Sequence, residues 1–206
     1  MHAIHTDQPD GPERPEGHDV DPRIERTRTA IARAARELLE EAGPDAVTHG
    51  RVATRARVSR TTVYKHHATR ADLLRAAVDD VGKPFPQELS GDLRTDLRAF
   101  VGHLVDDLRD EHRALAFATF MERSLQDPEV AVVRDAMVRD ATEHFAQMLR
   151  TGAEAGRLRR DLDVELVLAG LVGTFLFRRY LAGQPVDDDV ADHIVDAFLE
   201  HLAPRS

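Results

Sequence analysis

Between Val52 and His67 the chain reads VATRARVSRTTVYKHH, a set of residues suited to meeting a polyanion. Arg60, Thr61, Thr62, Tyr64, Lys65 and His66 crowd into one short segment. All can donate hydrogen bonds to phosphates or base edges, and none is acidic. Val52 and Ala53 belong to a short predicted helix, a turn follows at Arg57 and Val58, and the Ser59 hydroxyl is placed to cap a second helix from Arg60 to about His66. This is the layout of a helix-turn-helix, whose second helix enters a DNA major groove.

Charge is distributed to match. The whole chain is acidic, with 28 basic and 37 acidic side chains and a net charge of −9. Residues 23–75 nevertheless hold 12 basic and 6 acidic side chains, a local excess of +6. Residues 1–22 stand at −5 and residues 76–206 at −10. A cationic end on an acidic body suits a protein that meets nucleic acid with one end only.

Composition excludes several other functions. The 206 residues include no cysteine, which removes disulfides, thiol nucleophiles and thiolate metal sites. No apolar run approaches the ~18 residues of a membrane helix, and no secretory leader opens the chain, so the expected location is the cytoplasm. His103, His112, His144, His193 and His201 lack metal-ligand spacing, and no phosphate-binding glycine loop or cofactor motif is present. An enzyme is therefore the weaker reading. Asp106-Asp107 and Asp187 to Asp189 read as solvated faces or helix starts.

The remaining pattern is all-α, with about nine helices. Residues 1–21 are rich in Pro, Gly and acid, and read as a disordered arm. Residues 22–82 form the helix-turn-helix head with a linking helix. Its first helix runs from Asp21-Pro22 to about Ala42, where Gly43-Pro44 stops it. Thr48 caps the helix of His49 to Ala56, and Thr69 with Asp72 starts the linking helix, Arg70 to Val81. Gly82, Pro84 and Pro86 mark the boundary with residues 83–206. Five further helices are expected there: Leu93 to Leu108, Arg113 to Ser124, Asp127-Pro128 to about Glu154, Asp163 to Leu181, and Asp187 to Leu202.

From Ile24 to Val81 the order and spacing of Thr48, Val52-Ala53, Val58-Ser59, Thr62, Val63-Tyr64 and Asp72-Leu73-Leu74 resembles the head of the Tet-repressor (TetR) family of bacterial transcription regulators. The resemblance implies that Thr48 caps its helix and touches a phosphate. It implies that Arg70 meets the DNA backbone, and that Arg60, Thr61, Thr62, Tyr64, Lys65 and His66 face the groove or its walls. Three departures stand out. Arg57 replaces a usual turn glycine, His67 an apolar aromatic, and Gly50 a residue that sometimes contacts bases. These leave open a second reading, a helical adaptor that keeps the fold and binds protein.

The resemblance further implies a small-molecule effector held in the C-terminal helices. Phe100, His103, Leu104, Phe117, Phe120, Met121, His144, Phe145, Met148 and Phe175 are the candidates, and their apolar character points to an uncharged or lipophilic effector. One short helix reads too few bases for specificity, so a homodimer on a palindromic operator is expected. Leu166, Gly170, Leu171, Thr174, Phe175 and Leu181, with Val190, Ile194, Val195, Phe198 and Leu202, supply candidate interface stripes on the last two helices. Repression relieved by the effector, with the linking helix as lever, completes the expectation.

Overall fold

The computed structural model describes residues 22–81 and 89–204, without the side chains of residues 80 and 81. The N-terminal arm, the Asp21 cap and the Gly82–Pro86 boundary lie outside the described residues. Among them the chain forms nine α-helices: α1 (Pro22–Ala42), α2 (His49–Ala56), α3 (Arg60–His66), α4 (Arg70–Val81), α5 (Leu93–Arg109), α6 (Glu111–Ser124), α7 (Pro128–Glu154), α8 (Val164–Leu176) and α9 (Asp188–Leu202). None is long and apolar enough to cross a membrane.

The helix starts follow from local chemistry. The Thr48 and Ser59 side-chain oxygens accept from the backbone N–H groups of Arg51 and Thr62. Thr69 and Asp72 form the reciprocal box, the Asp72 N–H donating to the Thr69 hydroxyl at 3.1 Å and the Thr69 N–H to the Asp72 carboxylate at 2.8 Å. Asp92, Asp110, Asp127, Asp163 and Asp187 cap the five helices from α5 onward in the same manner. The Asp110 cap starts α6 at Glu111, two residues before the expected Arg113.

At its other end α8 departs from expectation. The regular helix closes at Leu176, and Phe177–Leu181 continue as one wider π turn, with the Ala182 N–H donating to the Phe177 carbonyl at 2.9 Å. On this turn the Tyr180 hydroxyl donates to the Ala114 carbonyl at 2.7 Å, joining α8 to α6.

Two apolar cores result. The body core gathers Leu97, Val105, Phe145, Met148, Leu171, Phe175, Val195 and Leu202. The head core gathers Ile31, Ala35, Leu38, Val52, Val63, Leu73, Leu74 and Ala77 from α1 to α4. Phe120 of α6 and Val130 and Val133 of α7 are buried in that same head core. The head core is therefore completed by the body.

The turn between α2 and α3 carries backbone strain. Arg57 has φ 56° and ψ 41°, the sole non-glycine residue with positive φ among the described residues. A Cβ is crowded there, whereas glycine is not. Gly43, by contrast, has φ 72° and ends α1 without that cost. Arg57→Gly is expected to raise stability by about 1 kcal/mol, read as a higher urea midpoint with unchanged slope.

Candidate nucleic-acid interface and internal cavity

The recognition helix α3 turns Val63 fully inward and leaves Arg60, Thr61, Tyr64 and Lys65 exposed. Thr62 and His66 are half-buried. Thr62 faces its own helix start, its hydroxyl sharing a 2.7 Å hydrogen bond with that of Ser59, so the cap uses a group expected to face the groove. The outward row is thus narrower than the sequence suggested.

A buried histidine supports this row. His49, 8% exposed, stacks on Tyr64 with ring centroids 3.9 Å apart and planes 8° from parallel. Its Nε2 lies 2.8 Å from the His67 carbonyl, so the tautomer protonated there donates to it. One imidazole therefore ties the start of α2 to both the face and the end of α3. The signal was present in the sequence: His49, Val52 and Ala53 share the inward face of a 3.6-residue repeat. His67, which stands in place of an apolar aromatic, is half-buried with Nε2 unpartnered, and burial lowers its pKa.

Beside the stack, Thr48, Gly50, Arg51, Thr54, Arg57, Arg60 and Tyr64 line an open cleft of about 790 Å³. The Arg60 guanidinium lies over Gly50 of α2, 3.8 Å from where a Cβ would stand, an ordinary contact distance. Arg51 and Arg57 extend the cationic surface beyond the residues picked out by the helix-turn-helix pattern. Arg55 has another task. It donates to Glu41 at 2.7 and 2.8 Å and to Glu37 at 3.2 Å, fastening α2 to α1.

Arg70 does not take the place expected of it. Its side chain is 17% exposed and points to the head–body junction. Nε donates to the Val47 carbonyl at 3.2 Å, Nη2 to the Pro44 carbonyl at 3.0 Å, and Nη1 to Asp127 at 2.8 Å and Glu129 at 3.2 Å. Burial opposes its charge, but the hydrogen bonds to Asp127 and Glu129 outweigh this and raise its pKa. A backbone-phosphate contact requires a free outward guanidinium, which this arrangement does not offer.

A cavity of about 1330 Å³ lies where α1 and α4 meet α5, α6, α7 and the start of α8. Of the expected pocket residues, His103, Phe117, Phe120 and His144 line it. Phe100, Phe145, Met148 and Phe175 are instead buried in the body core, with Leu104 packed against it. Met121 packs on the head core. The cavity's remaining walls are more polar than expected: six carboxylates (Glu40, Asp79, Asp107, Asp140, Glu143, Glu165) face it with three guanidinium groups (Arg75, Arg113, Arg150). Arg75 of α4 pairs there with Asp140 of α7, linking head and body.

Asp107 also corrects an expectation, since it is no solvated face. Burial pushes its carboxyl up to about 6, against the opposing pull of Arg113 at 3.3 Å.

The interface stripes divide in two. Leu171, Phe175, Val195 and Leu202 are buried within the subunit and are unavailable to a partner. Val190, Ile194 and Phe198 are half-buried, and a Cβ on Gly170 would sit 3.3 Å from the Phe198 ring. Leu166, Gly170, Thr174 and Leu181 remain exposed, joined by Phe177, which the periodic stripe had omitted. Leu166 and Leu181 are 70% and 74% exposed, unusual for leucines this close to an apolar core.

Two family models match, one over the head and one over the body. Residues 31–77 fit the model of bacterial regulatory proteins of the tetR family, and residues 88–198 fit the Tetracyclin repressor-like C-terminal domain. The chain belongs to the TetR family. It is accordingly a helix-turn-helix, DNA-binding transcription regulator. An uncharacterized HTH-type transcriptional regulator, YdeS of Bacillus subtilis, is 29% identical over 183 residues, covering 86% of this chain and 90% of that one. A DNA-binding transcriptional repressor TetR of Mycobacteroides abscessus is 28% identical, covering 86% and 94%. The solved structure of the TetR family transcription regulator SCO0332 superposes with a TM-score of 0.65 at 27% identity, covering 86% of this chain and 99% of that one.

Asp107 gives a pH-dependent test. A carboxyl raised from 3.8 to about 6 on folding holds its proton more tightly in the native state, so stability falls as pH rises through that window and stays low above it. Asp107→Asn is expected to stabilise the protein at pH 7.5 by up to about 3 kcal/mol and to flatten the stability profile between about pH 4 and 6. Urea melts across that range check both.

Proposed function

We propose that this regulator is a repressor that binds a palindromic operator in the cytoplasm as a homodimer and is released by a small, largely apolar effector. The observation that carries the reading is the cavity itself. Its walls come from α1 and α4 of the head as well as from α5, α6, α7 and the start of α8. A molecule held there touches the element that carries the recognition helix, so its binding energy is able to depend on where the head points.

Thr48, Arg51, Arg57, Arg60, Thr61, Tyr64, Lys65 and His66 are assigned to DNA. The relative from M. abscessus bears the name of a repressor, which supports the sign of regulation. The exposed row Leu166, Gly170, Thr174, Phe177 and Leu181, on α8 and the π turn that follows it, is assigned to the partner subunit, with α9 beside it. The effector is assigned to the cavity of His103, Phe117, Phe120 and His144. The excess of carboxylates over guanidinium groups on its walls disfavours an anion. An effector with a broad apolar surface and either no charge or a positive one suits it best.

Three measurements test these assignments. A mobility-shift assay with the DNA flanking its own gene is expected to give a sequence-specific complex, and absence of one would count against the operator. Sedimentation is expected to give about twice the subunit mass of 23.0 kDa, and Leu166→Asp with Leu181→Asp to return it to the monomer and abolish the complex. Between the isosteric ions tetraphenylphosphonium and tetraphenylborate, calorimetry is expected to favour the cation by tenfold or more. Tighter binding of the borate would exclude this view of the cavity.

A further inference from the structure

We infer that Arg70 is a positioning residue: it fixes the helix-turn-helix onto the first turn of α7 and makes no contact with DNA phosphates. Its two carbonyl partners, Pro44 and Val47, lie in the connector that ends at Thr48, the cap of α2. Its two closest carboxylates belong to the start of α7. Asp127 is the N-cap itself, with Oδ1 accepting from the Glu129 N–H at 3.0 Å while Oδ2 accepts from Arg70. A single side chain thus spans the connector before α2, the start of α4 and the start of α7.

The chemistry of arginine is required. The planar guanidinium directs its donors along several fixed lines at once, whereas lysine offers one compact ammonium. Here the fork satisfies two backbone carbonyls on one side and two carboxylates on the other. Asp45 adds a third acid, 3.6 Å from Arg70 and 2.9 Å from Arg123 of α6. Three carboxylates around the cation make the site unattractive to a phosphate, which would bring a further negative charge. Phe120, Val130 and Val133 pack in the head core beside this polar hub, so the same junction is held by apolar and ionic contacts.

Two readouts separate a strut from a phosphate contact. The slope of log affinity against log salt falls by about 0.9 for each phosphate contact removed. For Arg70→Ala the slope is expected to stay unchanged, while affinity for the DNA flanking the gene shifts by about tenfold. A mixed-sequence duplex of equal length serves as a second probe, so the slope is measured even where no operator is found. The second readout is a double-mutant cycle with Asp127→Asn/Glu129→Gln, in which asparagine preserves the cap.

On the strut, Arg70→Ala has a smaller effect in that background than in the wild type, because the charge-assisted contact to α7 is already weakened while the bonds to Pro44 and Val47 remain. Arg70→Lys is expected to resemble Arg70→Ala, and guards against a folding defect in the alanine variant. A salt slope that falls on removing Arg70, or an Arg70→Ala effect that persists in full in the Asp127→Asn/Glu129→Gln background, would overturn the inference. Neither outcome depends on the repressor, operator or effector assignments.

Discussion

A helical head spanning residues 22–81 has a small interior of its own; domains of about 60 residues bury a smaller share of their surface than larger ones and are marginal. This one borrows Phe120, Val130 and Val133 from the body to complete the layer formed by Ile31, Leu38, Leu73 and Leu74. Burial of apolar surface has no preferred direction and on its own would let the head slide over α6 and α7. The ionic contacts of Arg70 and Arg75 supply the direction, because hydrogen bonds weaken steeply when misaligned. For a DNA-binding protein of this family, where the head points is the functional variable. The apolar junction provides cohesion and the guanidinium groups provide aim.

Most of the fold was legible because its signals are local. Ser, Thr and Asp caps announce the helix starts, and Gly43 announces the end of α1. The end of α8 was not legible, since a π turn leaves the apolar pattern of Phe177, Tyr180 and Leu181 unbroken. The exposed part of α3 followed from period alone. Arg70 could not, because its direction is set by acids 57 and 59 positions away in the sequence.

The cavity and the α8 row show the same limit from another side. Helical period tells which residues face inward, but not whether inward means a packed core or a hollow. Phe145 and Phe175 share the inward faces of their helices with residues that line space, and only the tertiary arrangement separates them. Asp107 was misplaced for a related reason: a carboxylate on a helix flank reads as solvated until α6 covers it.

The helix starts divide by chemistry in a way that reaches beyond folding. In α2 and α3 the capping groups are hydroxyls, which hold no titratable proton in water. In the body they are carboxylates, and backbone N–H groups hold Asp92 and Asp110 below the usual carboxylate range, as Arg70 does for Asp127. A depressed carboxylate lends stability above its unfolded pKa and surrenders it as acidity rises through the folded one. Strong acid therefore weakens the starts of α5, α6 and α7 while those of α2 and α3 keep their own fastenings. Asp127 is where the two halves share a fate: one proton there loosens the start of α7 and the seat of the head together.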